Sequence, residues 1–252
     1  MTVLEATSLT KRFGGILALS DVSLRIDESE LVAVIGPNGA GKTTLFDCLL
    51  GTTRPDSGSV LLDGRDITNL PVHRRARLGM ARTFQRVELF SELTVRQNLI
   101  VAARARRQHR GLVRDLIAPT AERPEEQARV NSLLSLLGLD EDADRQAQVL
   151  SLGRARLVEL ARALATDPSV VLADEPSSGL DDADRHTLVQ ALTSVRAGGT
   201  SVLLVEHDLD LVRAVADRVY VLSAGLVLTE GHPATTLDSA AVEAAYRAGV
   251  DR

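Results

Sequence analysis

The chain has 252 residues, 44% of them hydrophobic, and a formal net charge of −5; that is enough apolar content for a substantial core in one large domain or two small ones. Its single cysteine, Cys48, excludes an internal disulfide and metal-binding cysteine clusters, and no apolar run reaches the roughly 18 to 20 residues of a membrane span. Aromatic residues make up only 2%, which leaves no stacking platform for nucleic acid.

Met1 to Glu5 begins a strand-like segment instead of a basic, then apolar, leader, so the chain is expected to stay in the cytoplasm. Val3 to Phe13 and Ala18 to Ile26 alternate as two strands joined through Gly14-Gly15. Phe13 is the one aromatic of this opening and is open to two readings, a platform for an adenine ring or core packing. Glu30 to Ile35 reads as a buried strand, and Thr44 to Leu50 as a helix closed by Gly51, with Cys48 packed among its apolar residues.

Between that strand and helix lies Gly36-Pro37-Asn38-Gly39-Ala40-Gly41-Lys42-Thr43-Thr44, which fits the phosphate-binding pattern G-x-x-x-x-G-K-[ST] at every fixed position. Its glycines allow a tight turn that aims backbone N–H groups, and the positive end of the following helix, at the phosphates of a nucleotide. Lys42 is placed to reach the β- and γ-phosphates, and the Thr43 hydroxyl to ligate Mg²⁺.

Gly58 to Gly64 reads as a strand ending in a turn, Pro71 to Leu78 as a short helix and Met80 to Phe84 as a strand. From Thr94 to about Leu139 the pattern becomes helical: Thr94 as N-cap before Val95 to Arg107, then Pro124 to Leu137 stopped by Gly138, with Pro119 and Pro124 as breaks. Between His73 and Arg114 eleven arginines face only Glu88 and Glu92. Arg104, Arg106, Arg107 and Arg110 read first as a solvated helix face, with acidic lipid headgroups or a partner protein as the alternatives. A further amphipathic helix runs from after Gly153 to Thr166, and Ser169 to Ala173 is a short buried strand that delivers Asp174-Glu175-Pro176 at its carboxyl end. The remainder alternates: helix Asp184 to Val195, strand Thr200 to Val205, helix from Asp208, strands Arg218 to Leu222 and Leu226 to Leu228, and a surface helix in the tail from Ala240 to Arg252. Such alternation predicts a largely parallel sheet.

With Gly36 to Thr43, Leu150-Ser151-Leu152-Gly153-Arg154 and Val170 to Asp181 in this order, the chain resembles the nucleotide-binding subunits of ABC transporters over nearly its full length. Lys11 to Gly15, Asp63 to Thr68, Ala81 to Gln85 and Leu99 to Ala103 look like the ATPase subunits of branched-chain amino-acid importers. The resemblance implies an α/β fold: a P-loop ATPase core with a mostly parallel sheet, an N-terminal antiparallel β subdomain and an inserted α-helical subdomain. Residues 1–84 and 168–252 would form the core, and 85–167 the insert and signature region. It also implies ATP and Mg²⁺ as cofactors and a head-to-tail ATPase dimer, from this chain alone or with a related second ATPase. The dimer would sit at the inner face of the cell membrane beneath transmembrane permease subunits, with no nucleic acid involved.

In that resemblance Asp174 holds Mg²⁺ directly or through water and Glu175 is the general base for the attacking water. His207, at the end of the strand Val202 to Glu206, matches the histidine that contacts the γ-phosphate, and Gln85 matches the glutamine that senses Mg²⁺ and water. Asp181 belongs to the loop that crosses the dimer. Ser151 and Gly153 open a helix that faces the partner's γ-phosphate. Here the chain departs from the family's common signature of two glycines and then glutamine, because Leu152 and Arg154 fill the first and third of those places. That departure leaves open a weaker site or a heterodimer with one better site. Export of lipid or glycolipid, and a soluble ATPase switch without a permease, are the competing functions.

Overall fold

The computed structural model describes residues 1–83, 87–107 and 124–250. Two sheets organise it. The first is antiparallel and four-stranded, with order β2-β1-β4-β5: β1 (Thr2–Phe13), β2 (Ile16–Asp27), β4 (Ser57–Leu62) and the two-residue β5 (Arg65–Asp66). The second is six-stranded, with order β10-β9-β3-β8-β7-β6. Its strands are β3 (Leu31–Ile35), β6 (Met80–Arg82), β7 (Val170–Asp174), β8 (Ser201–Val205), β9 (Arg218–Ser223) and β10 (Leu226–Gly231). All its pairs are parallel except β9 with β10. This is the mostly parallel sheet expected from the alternation of strand and helix patterns.

The central strands read as unbroken apolar runs because both of their faces are buried. Leu31, Ala33 and Ile35 of β3 pack into one core with the helices, while Val32 and Val34 pack into a second core beneath the antiparallel sheet. β7 divides in the same way, with Val171 and Ala173 on one side and Val170 and Leu172 on the other.

The helices are α1 (Lys42–Leu50), α2 (Val72–Arg77), α3 (Val95–Arg107), α4 (Pro124–Leu136), α5 (Leu152–Ala165), α6 (Asp182–Ala197), α7 (Leu209–Val215), α8 (Pro233–Thr236) and α9 (Ala240–Val250). Thr94 starts α3 with a reciprocal cap: its Oγ1 accepts from the Gln97 N–H at 3.2 Å, and the Gln97 side chain accepts from the Thr94 N–H at 2.9 Å. α3, α4 and α5 pack together as the helical insert.

Two expectations need revision, for Arg104 and for α9, and Arg75 adds a finding of its own. Arg104 is not simply a solvated face, because it forms an ion pair with the buried Glu126 at 3.2 Å that ties α3 to α4; the side chains of Arg106, Arg107 and Arg110 lie outside the described residues. Arg75, within the basic segment, is 1% exposed and points inward. Its guanidinium donates to the carbonyls of Cys48 and Leu49 at the end of α1, and to those of Thr68 and Leu70. A cation there satisfies the unpaired carbonyls at the negative end of the helix. Finally, α9 is more than a surface helix: Val242 is buried, and Tyr246 packs against the core.

Candidate functional site

β3 runs straight into the glycine-rich loop, and α1 leaves it. Gly41 occupies the N-cap of α1 in a left-handed conformation, φ 105°, and no side chain caps the helix. A Cβ at Gly41 would lie 2.6 Å from the Ala18 carbonyl oxygen, so both its dihedral and its surroundings demand glycine. The uncapped first turn leaves N–H donors aimed out of the helix, which is the chemistry of an anion site. Gly36, Pro37, Asn38, Gly39 and Ala40 form the turn, and Thr43 and Thr44 follow in the first turn of α1.

Lys42 is almost fully covered, and its ammonium donates to the carbonyls of Gly36 at 2.6 Å and Pro37 at 3.1 Å. Burial pulls its pKa below the ordinary lysine value, opposed by the charges of Glu175 and Asp174. The acidic pair at the end of β7 therefore faces the loop. Asp174 is half-buried, and its backbone N–H donates to the Thr83 hydroxyl at 3.3 Å. Burial first, and then the neighbouring charges of Glu175, Asp47 and Glu206, push its carboxyl up to about 6. Among the described residues no three His, Cys, Asp or Glu side chains cluster to cage a metal. A Mg²⁺ held by one carboxylate and shared with phosphates does not need such a cage. The donor set of Asp174 and the exposed Thr43 fits that arrangement.

Glu175 has φ 47°, an unusual conformation for a residue with a side chain. Its N–H donates to the Val205 carbonyl at 2.8 Å, and the Glu175 carbonyl accepts from Arg156 Nη1 at 3.1 Å. Held there, its Oε1 stands 3.3 Å from Nδ1 of His207. Two loops that leave adjacent parallel strands thus bring together a carboxylate and an imidazole beside the phosphate loop. Phe13 is half exposed with the Lys11 ammonium 5.4 Å from its ring centroid, which removes the core-packing reading. Gln85 lies outside the described residues.

Ser151, Gly153 and Asp181 assemble separately. Ser151 is the N-cap of α5, and its side chain accepts from the Arg154 N–H at 3.2 Å. A Cβ at Gly153 would collide with the Asp184 carboxylate. Asp181 N-caps α6 by accepting from the Asp184 N–H at 2.8 Å. The two unusual signature residues have defined places. Leu152 is 54% exposed and lies against Gly179, while Arg154 bridges Asp142 at 2.6 Å and Asp184 at 3.8 Å. Arg154 fastens the start of α5 to the insert and to α6, so it is a structural tie within this chain.

Two residues here carry no sequence signal. Glu206 is fully buried between the loops of Glu175 and His207. The Tyr246 hydroxyl accepts from the Gly36 N–H at 3.1 Å, which docks α9 on the start of the phosphate loop; burial raises the pKa of this phenol.

A parallel sheet with a glycine-rich loop between strand and uncapped helix, and carboxylates at the neighbouring strand end, defines a phosphate-loop nucleotide protein. Residues 19–178 match the ABC transporter family. The chain is 40% identical over 252 residues to the "High-affinity branched-chain amino acid transport ATP-binding protein BraF" of Pseudomonas aeruginosa, covering 97% of both chains. It superposes on the ADP conformation of MJ1267, an ATP-binding cassette of an ABC transporter, with a TM-score of 0.85 and 30% identity, covering 98% of this chain and 99% of the other. It also matches the dimeric structure of MJ0796, a bacterial ABC transporter cassette, with a TM-score of 0.77 and 28% identity over 91% of this chain and 98% of that one. The chain belongs to the ABC transporter family.

Proposed function

We propose that the chain is the ATP-hydrolysing subunit of an importer for branched-chain amino acids, working on the cytoplasmic side of the membrane beneath permease subunits. The observation that carries the hydrolytic reading is the pairing of Glu175 with His207 at 3.3 Å, next to Lys42 and the uncapped α1. The loop amides and Lys42 bind and orient the phosphates of ATP. Asp174 and Thr43 hold Mg²⁺, which when bound neutralises charge that develops on the phosphates. Glu175 accepts a proton from water aligned on the γ-phosphorus, and His207 fixes Glu175 and the γ-phosphate in register. Phe13 stacks on the adenine ring. Gln85 completes the set in this reading.

Ser151 and Gly153 act on the nucleotide of a second ATPase subunit, at the positive end of α5, and Asp181 shapes the loop that reaches across. The identity with BraF supports branched-chain amino acids as the cargo. For the permease, the structure offers an apolar groove between α2, α3 and α5, lined by Val72, Met80, Phe90 and Val101 and edged by Arg77 and Arg162. Val72, Phe90 and Val101 are all exposed there, an arrangement that suits a hydrophobic partner segment. Among the described residues no helix is long and apolar enough to cross a membrane.

The test is steady-state ATP hydrolysis with Mg²⁺ by the purified chain and by Glu175→Gln. The variant is expected to keep nucleotide affinity and to lose about 100-fold or more in kcat, the scale of losing a positioned base. A variant that turns over ATP at the wild-type rate overturns the assignment.

A further inference from the structure

Glu206 is fully buried, and its backbone N–H continues the sheet by donating to Val34. Its side chain leaves the sheet and accepts from backbone N–H groups of two different loops. Oε1 accepts from Ser177 at 3.0 Å; Oε2 accepts from His207 at 3.1 Å and from Asp208 at 3.3 Å. Ser177 lies two residues beyond Glu175, on the segment that continues to Asp181. A second tie runs alongside the first, because Asp208 Oδ2 pairs with Arg185 of α6 at 2.5 Å.

We propose that Glu206 is a positioning residue that makes the Glu175 loop and the His207 loop one mechanical unit, each oxygen of a single buried carboxylate holding the amides of one loop. The inference rests on the ATPase reading above and extends it to a residue that touches no substrate. A carboxylate suits this place because it has two acceptor oxygens and no donor. An amide of the same shape has one of each, so Glu206→Gln must turn an NH₂ toward the amides of one loop and break that half of the clamp. The consequence is specific: the Glu175 and His207 side chains lose their common register, while no hydrogen bond of the Glu206 side chain reaches the phosphate loop that supplies most of the binding.

The experiment is steady-state hydrolysis by wild type, Glu206→Gln, His207→Ala and the double variant, with nucleotide affinity measured by a fluorescent ATP analogue. Glu206→Gln is expected to lower kcat about tenfold or more and to change KM and affinity by less than about threefold, the pattern of a contact needed only at the transition state. On the His207→Ala background it is expected to cause less than about a twofold further loss, because residues acting as a unit are not additive. Equal proportional losses in both backgrounds, a loss accounted for by KM, or a kcat within about threefold of wild type would each overturn the proposal. Native-state amide exchange of the wild-type chain in low urea provides a test free of folding defects and of turnover. The Ser177 and His207 amides are expected to open together with the same urea slope, and different slopes would overturn the clamp. If the wild type proves unable to hydrolyse ATP, the ATPase reading falls, and amide exchange alone decides whether the clamp exists.

Discussion

Asp174 carries two pH dependences of opposite sign. Its pKa is about 6 in the folded chain, against an ordinary 3.8, because burial and the neighbouring Glu175 disfavour the charged form. An acid whose folded pKa is raised stabilises the fold most when protonated, so its contribution is complete below the unfolded value and is lost as pH rises through about 6. The nucleotide-free protein should therefore gain stability from this group as pH falls across that window. Mg²⁺ requires the ionised carboxylate, so Mg-nucleotide affinity should fall over the same interval. Thermal melts with and without Mg-nucleotide check both: the ligand-induced rise in Tm is expected to shrink as pH drops toward 5. A rise that stays constant would show that Asp174 does not hold the metal. Glu175 illustrates the same economy of placement, because its left-handed backbone at φ 47° persists only where the β8 carbonyl and Arg156 fix it on both sides.

At the scale of elements, legibility follows sequence separation. The phosphate loop could be read directly because strand, turn, donors and helix lie within one contiguous run, whereas the Ser151 and Asp181 side-chain caps emerge only in the structure. β7 and β8 were legible as buried strands, and their carboxyl ends as the place of chemistry, because apolar runs buried on both faces have no polar alternation. What could not be read were contacts between distant segments. Glu206 meets an amide 29 residues away, and Tyr246 meets one 210 residues away. Arg75 reaches the end of α1 across 27 and 26 residues of chain. Tyr246 gives a direct test of the α9 contact. Tyr246→Phe keeps the ring and removes the acceptor of the Gly36 N–H, and losing one such bond costs about 1 kcal/mol. Chemical denaturation should register that loss. Exchange of the Gly36 amide should quicken in the variant, whereas an unchanged Gly36 rate would mean that α9 does not reach the loop in solution.

For the whole molecule the decisive property of the proposed function is that one chain would hold two half-sites that face different partners. In the proposed function the loop, Asp174, Glu175 and His207 act on the chain's own nucleotide, whereas Ser151 and Gly153, linked to Glu175 through residues 176–181, stand at the N-terminus of α5 and act on a partner's. MJ0796 is known as a dimer, and in the proposed function two such chains close over ATP that bridges the loop of one to α5 of the other. Leu152 sets the difficulty, since an exposed leucine stands where the common signature has glycine. Its packing against Gly179 draws it toward its own subunit, and the Arg154 ties to Asp142 and Asp184 hold the start of α5 rigid. Closure is therefore expected to remain within reach of ATP. The Glu175→Gln chain, expected to bind ATP and hardly consume it, should sediment as a dimer with Mg-ATP and as a monomer with Mg-ADP, because loss of the γ-phosphate removes the bridge. Gly153→Ala in the same background should weaken that dimer, since the added Cβ must push aside the Asp184 carboxylate, which pairs with Arg154 at the start of α5. A Glu175→Gln chain that binds ATP yet remains a monomer would reassign the active unit to a heterodimer, with a related ATPase supplying the opposing signature.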